Sequence, residues 1–293
     1  MVVVATGFFD GVHIGHRFLV ESLVSSARSR GGQSLVVTFW PHPRTVLQNG
    51  ARGLRLLSTL QEKKDLLKSL GVDRIEVLDF TREFGSLTAE EYLREIVIRR
   101  FGGTAILLGY DNRMGSDGLT TPQIRSLALS LGLEVIEPGA MPLGDTVVSS
   151  TKIRNLLSAG DVESASAMLG CRYSLHGVVV EGDRIGRTLG FPTANMQLYE
   201  PLKQVPGRGV YLVGVTTLGR NYMGMCNIGC RPTVRQNGSV TIETNIFDFD
   251  EDIYGLDMVL TFHAKIRDEQ RFPDLESLRA QLALDREKCL KMI

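Results

Sequence analysis

Val2-Val3-Val4-Ala5-Thr6-Gly7-Phe8-Phe9-Asp10-Gly11-Val12-His13-Ile14-Gly15-His16 runs from an apolar, β-branched stretch through a glycine-flanked turn into the start of a helical pattern. Read locally, it is a strand, a turn and a helix start joined without a linker. Open parallel sheets bind ligands outside the carboxyl ends of their strands, and a helix N-terminus offers free amides and a positive dipole end to an anion. Gly7 and Gly11 let backbone approach a ligand closely. Gly7, Phe8, Phe9, Asp10, Gly11 and Gly15 are therefore the candidate nucleotide- and phosphate-binding residues of this joint. His13 and His16, three apart on one helical face, place two imidazoles where they can donate to a single phosphate as charge grows on it. They are the candidate catalytic pair. No nucleophile stands in the motif, and nucleotidyl transfer needs none, because the attacking oxygen belongs to the acceptor. A surface helix start or a metal pair is the alternative reading, and a zinc site would require His42 as its third ligand.

Working outward, strand-like runs at Val2 to Thr6, Ser34 to Trp40, Arg74 to Phe80, Thr104 to Leu108 and Leu133 to Ile136 alternate with helical patterns. That alternation predicts a parallel sheet covered by crossover helices. The helices are expected at Ile14 to Arg30, Thr59 to Leu70, Thr88 to Phe101 and Pro122 to Leu131. Thr59/Glu62 and Thr88/Glu91 read as capping boxes, and Thr121 as the N-cap before Pro122. Two short helices follow, Thr151 to Ser158 and Asp161 to Leu169, and the pattern then changes class. From Leu175 on, period-two alternation dominates, clearest in Met258, Leu260, Phe262, Ala264 and Ile266 against Val259, Thr261, His263, Lys265 and Arg267. Further strands at Leu175 to Glu181, Val210 to Thr216, Tyr222 to Ile228 and Val240 to Phe249 predict a small antiparallel β-barrel, closed by a terminal helix from Leu275 to Lys291. The expected domains are 1–170 and 171–293.

Composition agrees with two cores. The chain has 293 residues, 43% hydrophobic, with 33 basic side chains against 33 acidic. Such apolar content excludes disorder, and a balanced charge argues against a nucleic-acid or anionic-membrane binder, which relies on a basic field. The run Val2 to Ala5 is far too short to span a bilayer, so the expectation is a cytoplasmic chain with no membrane partner. Cys171, Cys226, Cys230 and Cys289 lack paired metal-site spacing and are expected to be reduced and structural. Self-association is not legible.

Three further segments carry chemistry. Ser149-Ser150-Thr151-Lys152-Ile153-Arg154 puts hydroxyls at a helix start and two cations in its first turn, where they oppose the helix dipole and suggest a nearby anion. A plain helix cap is the alternative. Pro41-His42-Pro43, after the second strand, makes His42 an acceptor-pocket candidate or a rigid turn. In the second half, Glu181-Gly182-Asp183-Arg184-Ile185-Gly186-Arg187-Thr188-Leu189-Gly190-Phe191-Pro192-Thr193-Ala194-Asn195 fits a loop folded around phosphates. Its phosphate-binding candidates are Gly182, Arg184, Gly186, Arg187 and Gly190, with Thr193 and Asn195 as oxygen ligands for Mg2+. A long hairpin loop of the same composition is the alternative. Glu243 sits among apolar strand neighbours and is either paired, exposed, or a general base.

Taken together, these motifs resemble the prokaryotic family of bifunctional riboflavin kinases and FAD synthetases, over nearly the whole chain. The N-terminal pattern G-x-F-D-G-x-H-x-G-H is met by Gly7, Phe9, Asp10, Gly11, His13, Gly15 and His16, and S-S-T-x-x-R by Ser149, Ser150, Thr151 and Arg154. The C-terminal G-R-x-x-G-x-P-T-A-N is met by Gly186, Arg187, Gly190, Pro192, Thr193, Ala194 and Asn195, followed by Asn227-Ile228-Gly229, Arg231-Pro232-Thr233 and Glu243. The resemblance implies a Rossmann-like nucleotidyltransferase module followed by a kinase barrel. It implies two reactions, riboflavin plus ATP to FMN and ADP, then FMN plus ATP to FAD and pyrophosphate, with magnesium serving both. It further implies that His13 and His16 hold the adenylyl phosphates and that Arg154 with Ser149, Ser150 and Thr151 closes over pyrophosphate. Thr193 and Asn195 would bind Mg-nucleotide, and Glu243 would be the base for the ribityl hydroxyl. Departures occur in Gly109 to Gly115, where the acceptor candidate Asp111 stands in place of an amide and Asn112 and Met114 in place of aromatics, and at Asn245, where a histidine is usual. A kinase with weak FAD synthesis, an adenylyltransferase for another acceptor and a non-enzymatic flavin-binding protein are the competing expectations.

Overall fold

In the computed structural model, which describes residues 1–47, 53–110, 112–139, 148–182, 185–230 and 240–293, the chain divides into two compact units, Met1–Ser150 and Thr151–Ile293. The first holds β1 (Val2–Thr6), β2 (Gln33–Trp40), β3 (Arg74–Asp79), β4 (Ala105–Leu107), a short ribbon of β5 (Arg113–Met114) and β6 (Leu119–Thr120), and β7 (Glu134–Ile136). Its sheet is parallel, in the order β3-β2-β1-β4-β7. Helices α1 (Ile14–Ser29), α2 (Pro43–Leu47), α3 (Leu60–Ser69), α4 (Arg82–Gly85), α5 (Ala89–Glu91) and α6 (Thr121–Ser130) complete it, with Tyr92–Arg100 wound as a π-helix after α5.

Strand alternation explains why both faces need a helical cover. Val3 and Ala5 of β1 pack with Val20, Leu23, Val24 and Ala27 of α1 and Leu67 of α3. Val4 points the other way, into a cluster with Leu93, Val97, Ile124 and Ala128. A strand buried on both sides must be apolar at every position, which is what Val3, Val4 and Ala5 supply. The capping boxes form at Thr59/Glu62 and Thr88/Glu91. At α6 the cap moves one residue: Gln123 Oε1 accepts from the Thr120 amide and hydroxyl at 2.9 and 2.8 Å. The Thr121 hydroxyl instead donates toward carbonyls of Gly109, Tyr110 and Asn112 at 3.2–3.3 Å, tying the helix start to the loop after β4.

Helix α7 (Ser150–Ala159) straddles the division, which falls before the class change near Gly170; α8 (Val162–Leu169) then leads to the barrel. The barrel strands are β8 (Ser174–Val180), β9 (Ala194–Leu198), β10 (Gly209–Thr217), β11 (Arg220–Cys230), β12 (Val240–Ile246) and β13 (Asp257–Arg267), with α9 (Ile185–Thr188) inside the long β8–β9 connection and α10 (Leu275–Leu290) at the end. They close in the order β10-β11-β12-β9-β8-β13. Met258, Leu260, Phe262, Ala264 and Ile266 are all buried, as their alternation requires. Strand β9 was hidden because Ala-Asn-Met-Gln-Leu lacks β-branched and aromatic residues, and its place in the barrel is set by pairing with β8 and β12.

Helix α10 is fastened to β13 by one buried ion pair. Arg267 Nε meets both Asp285 carboxylate oxygens, at 3.0 and 2.9 Å, and Gln281 donates to the same carboxylate at 2.9 Å. Asp285→Ala strands the guanidinium in a covered site and is expected to destabilise the barrel unit by about 3–5 kcal/mol, measured by denaturant unfolding.

Candidate active sites

In the first unit, β1 ends at Thr6, whose hydroxyl meets the buried Tyr92 phenol at 2.7 Å. Gly7 N still donates to Val37 O at 3.1 Å, following β2 for one residue more, and then the chain turns sharply. Phe9 has φ 52°, Gly11 φ 76° and Val12 φ 40°. Glycine tolerates this region, whereas each other residue there costs about 1–3 kcal/mol and must be held by its surroundings. The holding groups come from the 57–63 segment. The buried Asp10 carboxylate accepts from Leu57 N at 2.9 and 3.1 Å and from Ser58 N at 3.1 Å, and Ser58 Oγ accepts from Gly11 N at 3.0 Å. Lys63 Nζ donates to Phe8 O at 2.8 Å.

The histidines meet differently from the one-face helical arrangement expected. His13 is the N-cap of α1, in extended backbone, and its Nδ1 accepts from His16 N at 3.3 Å. A neutral ring that accepts at Nδ1 carries its proton on Nε2, so His13 presents a donor away from the helix. The two rings stack at 3.7 Å with 14° between planes, and Phe9 meets His16 edge-on at 5.3 Å. His16 Nδ1 is buried and has no hydrogen-bond partner among the described residues. Burial first, then His13 and Lys63, hold the His16 pKa well below the usual imidazole value. His16 is thus held neutral in the free enzyme, and arriving negative charge favours its protonated form.

Two other candidates, His42 and Ser150, reach the same turn. The His42 ring lies 4.1 Å from Phe8, edge-on, while its own turn is fixed by Arg44 N donating to His42 Nδ1 at 3.1 Å. Ser150 Oγ donates to Asp10 O at 3.2 Å, bringing the Ser149-Ser150 pair to the turn. Thr151, Lys152 and Arg154 follow on α7, with Thr151 and Lys152 exposed and Arg154 half-buried. Gly15 lies in the first turn of α1. Asp111 and Arg184, named above as acceptor and phosphate candidates, lie outside the described residues, as do Arg231, Pro232 and Thr233.

In the second unit, strand register assembles what was far apart in sequence. Glu243 is directly opposite Asn195 on one side and Asn227 on the other, so the three side chains form a row on one face of β9, β12 and β11. Directly opposed side chains share a face, with Cβ atoms about 4.5–5.5 Å apart. Their neighbours Ala194 and Thr244 point to the opposite face and line a cavity of about 510 Å³, together with Glu181, Arg187, Pro192 and Thr193. Thr193 to Asn195 therefore stands between the cavity and the row. A side chain at Gly182 would place its Cβ 2.1 Å from Asn195 Nδ2, so glycine is required for Asn195 to lie against this backbone. Gly186 and Arg187 lie on α9, and Gly190 in the turn after it. Thr193 and Asn195 offer neutral oxygen donors, the set that suits a magnesium ion whose remaining ligands are phosphate oxygens and water. Among the described residues, no group of three His, Cys, Asp or Glu side chains is placed to hold a metal.

Asn245 has a defined task. Its Nδ2 donates to Pro192 O at 2.7 Å, anchoring the loop that carries Thr193. Asn245→Ala would leave that carbonyl unpaired, with an expected loss of about 1–3 kcal/mol in denaturant unfolding.

Lys63 was missed in the sequence although a signal existed: it occupies the apolar stripe of α3 at i+3 from Leu60 and i−4 from Leu67. Leu57, Ser58 and Thr38 gave no such signal, because their partners are 20 or more residues away.

Comparison with known proteins places both units. A family model described as FAD synthetase matches residues 1–152, and one described as riboflavin kinase matches residues 169–293. The bifunctional riboflavin kinase/FMN adenylyltransferase of Bacillus subtilis (strain 168) is 33% identical over 99% of this chain and 92% of its own. The protein of that name from Escherichia coli (strain K12) is 34% identical over 97% and 90%. A crystal structure described as a macrolide-efflux protein from Streptococcus pneumoniae aligns with a TM-score of 0.89 and 33% identity, covering 98% of this chain and 92% of that one. No helix among the described residues here is long and apolar enough to cross a membrane. With two module matches in tandem and bifunctional relatives aligned end to end, the chain belongs to the family of bifunctional riboflavin kinases/FMN adenylyltransferases.

Proposed function

We propose that this bifunctional enzyme makes FMN from riboflavin and ATP at the barrel site, and FAD from FMN and ATP at the turn between β1 and α1. The observation that carries the reading is the register of β9 and β12, which sets Glu243 opposite Asn195, each next in sequence to a residue, Thr244 or Ala194, that lines a cavity large enough for a nucleotide. ATP lies in the cavity, past Arg187 and the glycine loop, and the flavin's ribityl hydroxyl reaches its γ-phosphate over the edge formed by Thr193 to Asn195, beside Glu243. Glu243 takes the proton of the ribityl hydroxyl as that oxygen bonds to the γ-phosphorus and ADP departs. Thr193 and Asn195 would hold a magnesium ion, whose charge offsets that of the phosphate oxygens. The protein's own work is alignment and proton removal.

In the first unit an FMN phosphate oxygen bonds to the α-phosphorus of ATP and pyrophosphate leaves. His13, through Nε2–H, and His16 donate to the α-phosphate as charge accumulates. Gly7, Phe8, Phe9, Asp10, Gly11 and Gly15 shape the phosphate turn, Asp10 from beneath through its bonds to Leu57 and Ser58. Ser149 and Ser150, followed on α7 by Thr151 and Arg154, take the pyrophosphate end, and His42 the acceptor. The functional division follows the motifs, with 1–170 for adenylyl transfer and 171–293 for the kinase. ATP and flavins are the partners proposed, with neither nucleic acid nor membrane required. A cytoplasmic location is supported by four cysteines that form no disulfide.

The test is a time course with riboflavin, ATP and magnesium, resolved by chromatography. FMN appearing first and FAD after it is the expected result. FMN accumulating while added FMN stays unconverted would overturn the adenylyl half.

A further inference from the structure

Lys63 is the one fully buried lysine of the first unit's described residues, and the chemistry above does not use it. Its ammonium donates to Phe8 O at 2.8 Å and lies 3.2 Å from Thr38 Oγ1, 3.9 Å from the Phe8 ring centroid and 5.9 Å from that of Trp40. Thr38 also reaches Phe8 O, at 3.2 Å, and Phe8 in turn packs against His42. A methionine or leucine would fill the same place on α3 without the loss of solvation that a buried cation suffers.

We propose that Lys63 is a positioning residue for adenylyl transfer: its ammonium clamps the Phe8 carbonyl and ring against the end of β2, and so fixes the turn that carries His13 and His16. The inference rests on the assignment of adenylyl transfer to this unit. It explains how a turn with Phe9 and Val12 at positive φ keeps one geometry, since Asp10 secures its middle and Lys63 its entry. The charge has a second effect. Burial pulls the Lys63 pKa down to about 8 while Asp10 resists, so the group is still mostly protonated at pH 7. That cation disfavours a second positive charge on His16, alongside the burial and His13 terms. Asp10 in the turn and His16 in the first turn of α1 are the titratable groups coupled to it, and His13 acts on His16.

The experiment uses the full chain, with the riboflavin kinase rate fixing the amount of enzyme and circular dichroism with thermal unfolding reporting whether the first unit, a separate compact unit, is folded. Lys63→Met is expected to lower kcat for FAD formation on the order of 10²-fold, with a smaller change in KM for ATP, because misalignment acts on the transition state. Lys63→Arg, which keeps the charge and donors, recovers part of the loss. The His16 imidazole, followed by NMR, titrates at higher pH in Lys63→Met than in the parent, and Lys63→Arg, which keeps the cation, returns it toward the parental value. A parental kcat in Lys63→Met overturns the proposal, and so does failure of both Lys63→Met and Lys63→Gln to fold, which would make Lys63 a folding residue. His16→Ala run alongside separates the two levels: if it retains FAD formation, the adenylyl assignment fails and this inference with it.

Discussion

His16→Ala lowers the rate of FAD formation by about 10²–10³-fold and leaves conversion of riboflavin to FMN at the parental rate, when the two steps are assayed separately with FMN or riboflavin as substrate. The size follows from how the imidazole is held. His16 stacks on His13 at 3.7 Å and meets the edge of Phe9, so it has little freedom to lose when a phosphate arrives. Burial and two cationic or proton-bearing neighbours keep it neutral in the free enzyme. A triphosphate reverses that balance, and the proton gained is then shared with the oxygen that becomes most negative in the transition state. Alanine removes the donor and also the ring on which His13 rests. The kinase step is spared because its residues lie in a separate compact unit. Loss of FMN formation in this variant would show that the two reactions do not divide between the units in this way.

What the sequence made legible was whatever is local. The joint from Val2 to His16, the two capping boxes and the alternation from Met258 to Ile266 all follow from neighbours within a turn or two of chain, and each appears where expected. Errors came where a distant partner decides. Thr120 caps α6 instead of Thr121 because Thr121 is drawn to the loop after β4. Strand β9 has weak propensity of its own and exists by virtue of β8 and β12. Spacing placed both histidines on a helix, yet His13 stays extended because its ring nitrogen satisfies an amide of the first turn. The candidate residues of both sites were visible as motifs, but their supports were not. Asp10 reads as a ligand residue in the motif, while its carboxylate is spent on amides at Leu57 and Ser58. Lys63 stands in the apolar stripe of α3, a sign of burial, but its partners Phe8 and Thr38 come from elements far away in the chain.

Glu243→Gln is expected to lower FMN formation by about 10²–10⁴-fold while FMN supplied directly is still converted to FAD. Glutamine keeps the volume and much of the hydrogen bonding of glutamate, so the row with Asn195 and Asn227 survives, and the capacity to accept a proton is what disappears. The direction is fixed by topology. Side chains on β12 alternate, so Glu243 lies in the row with Asn195 and Asn227 while Thr244 faces the cavity; in the proposed assignment the carboxylate serves the acceptor at the edge formed by Thr193 to Asn195, and the nucleotide lies in the cavity. A base on the cavity side would meet phosphate oxygens, whose like charge opposes its own. If Glu243→Gln forms FMN at the parental rate, the hydroxyl must be deprotonated from the cavity side, where Glu181 lines the wall next to the glycine loop. Glu181→Gln would then show the loss instead, and the two substrates would have to exchange the places assigned to them here.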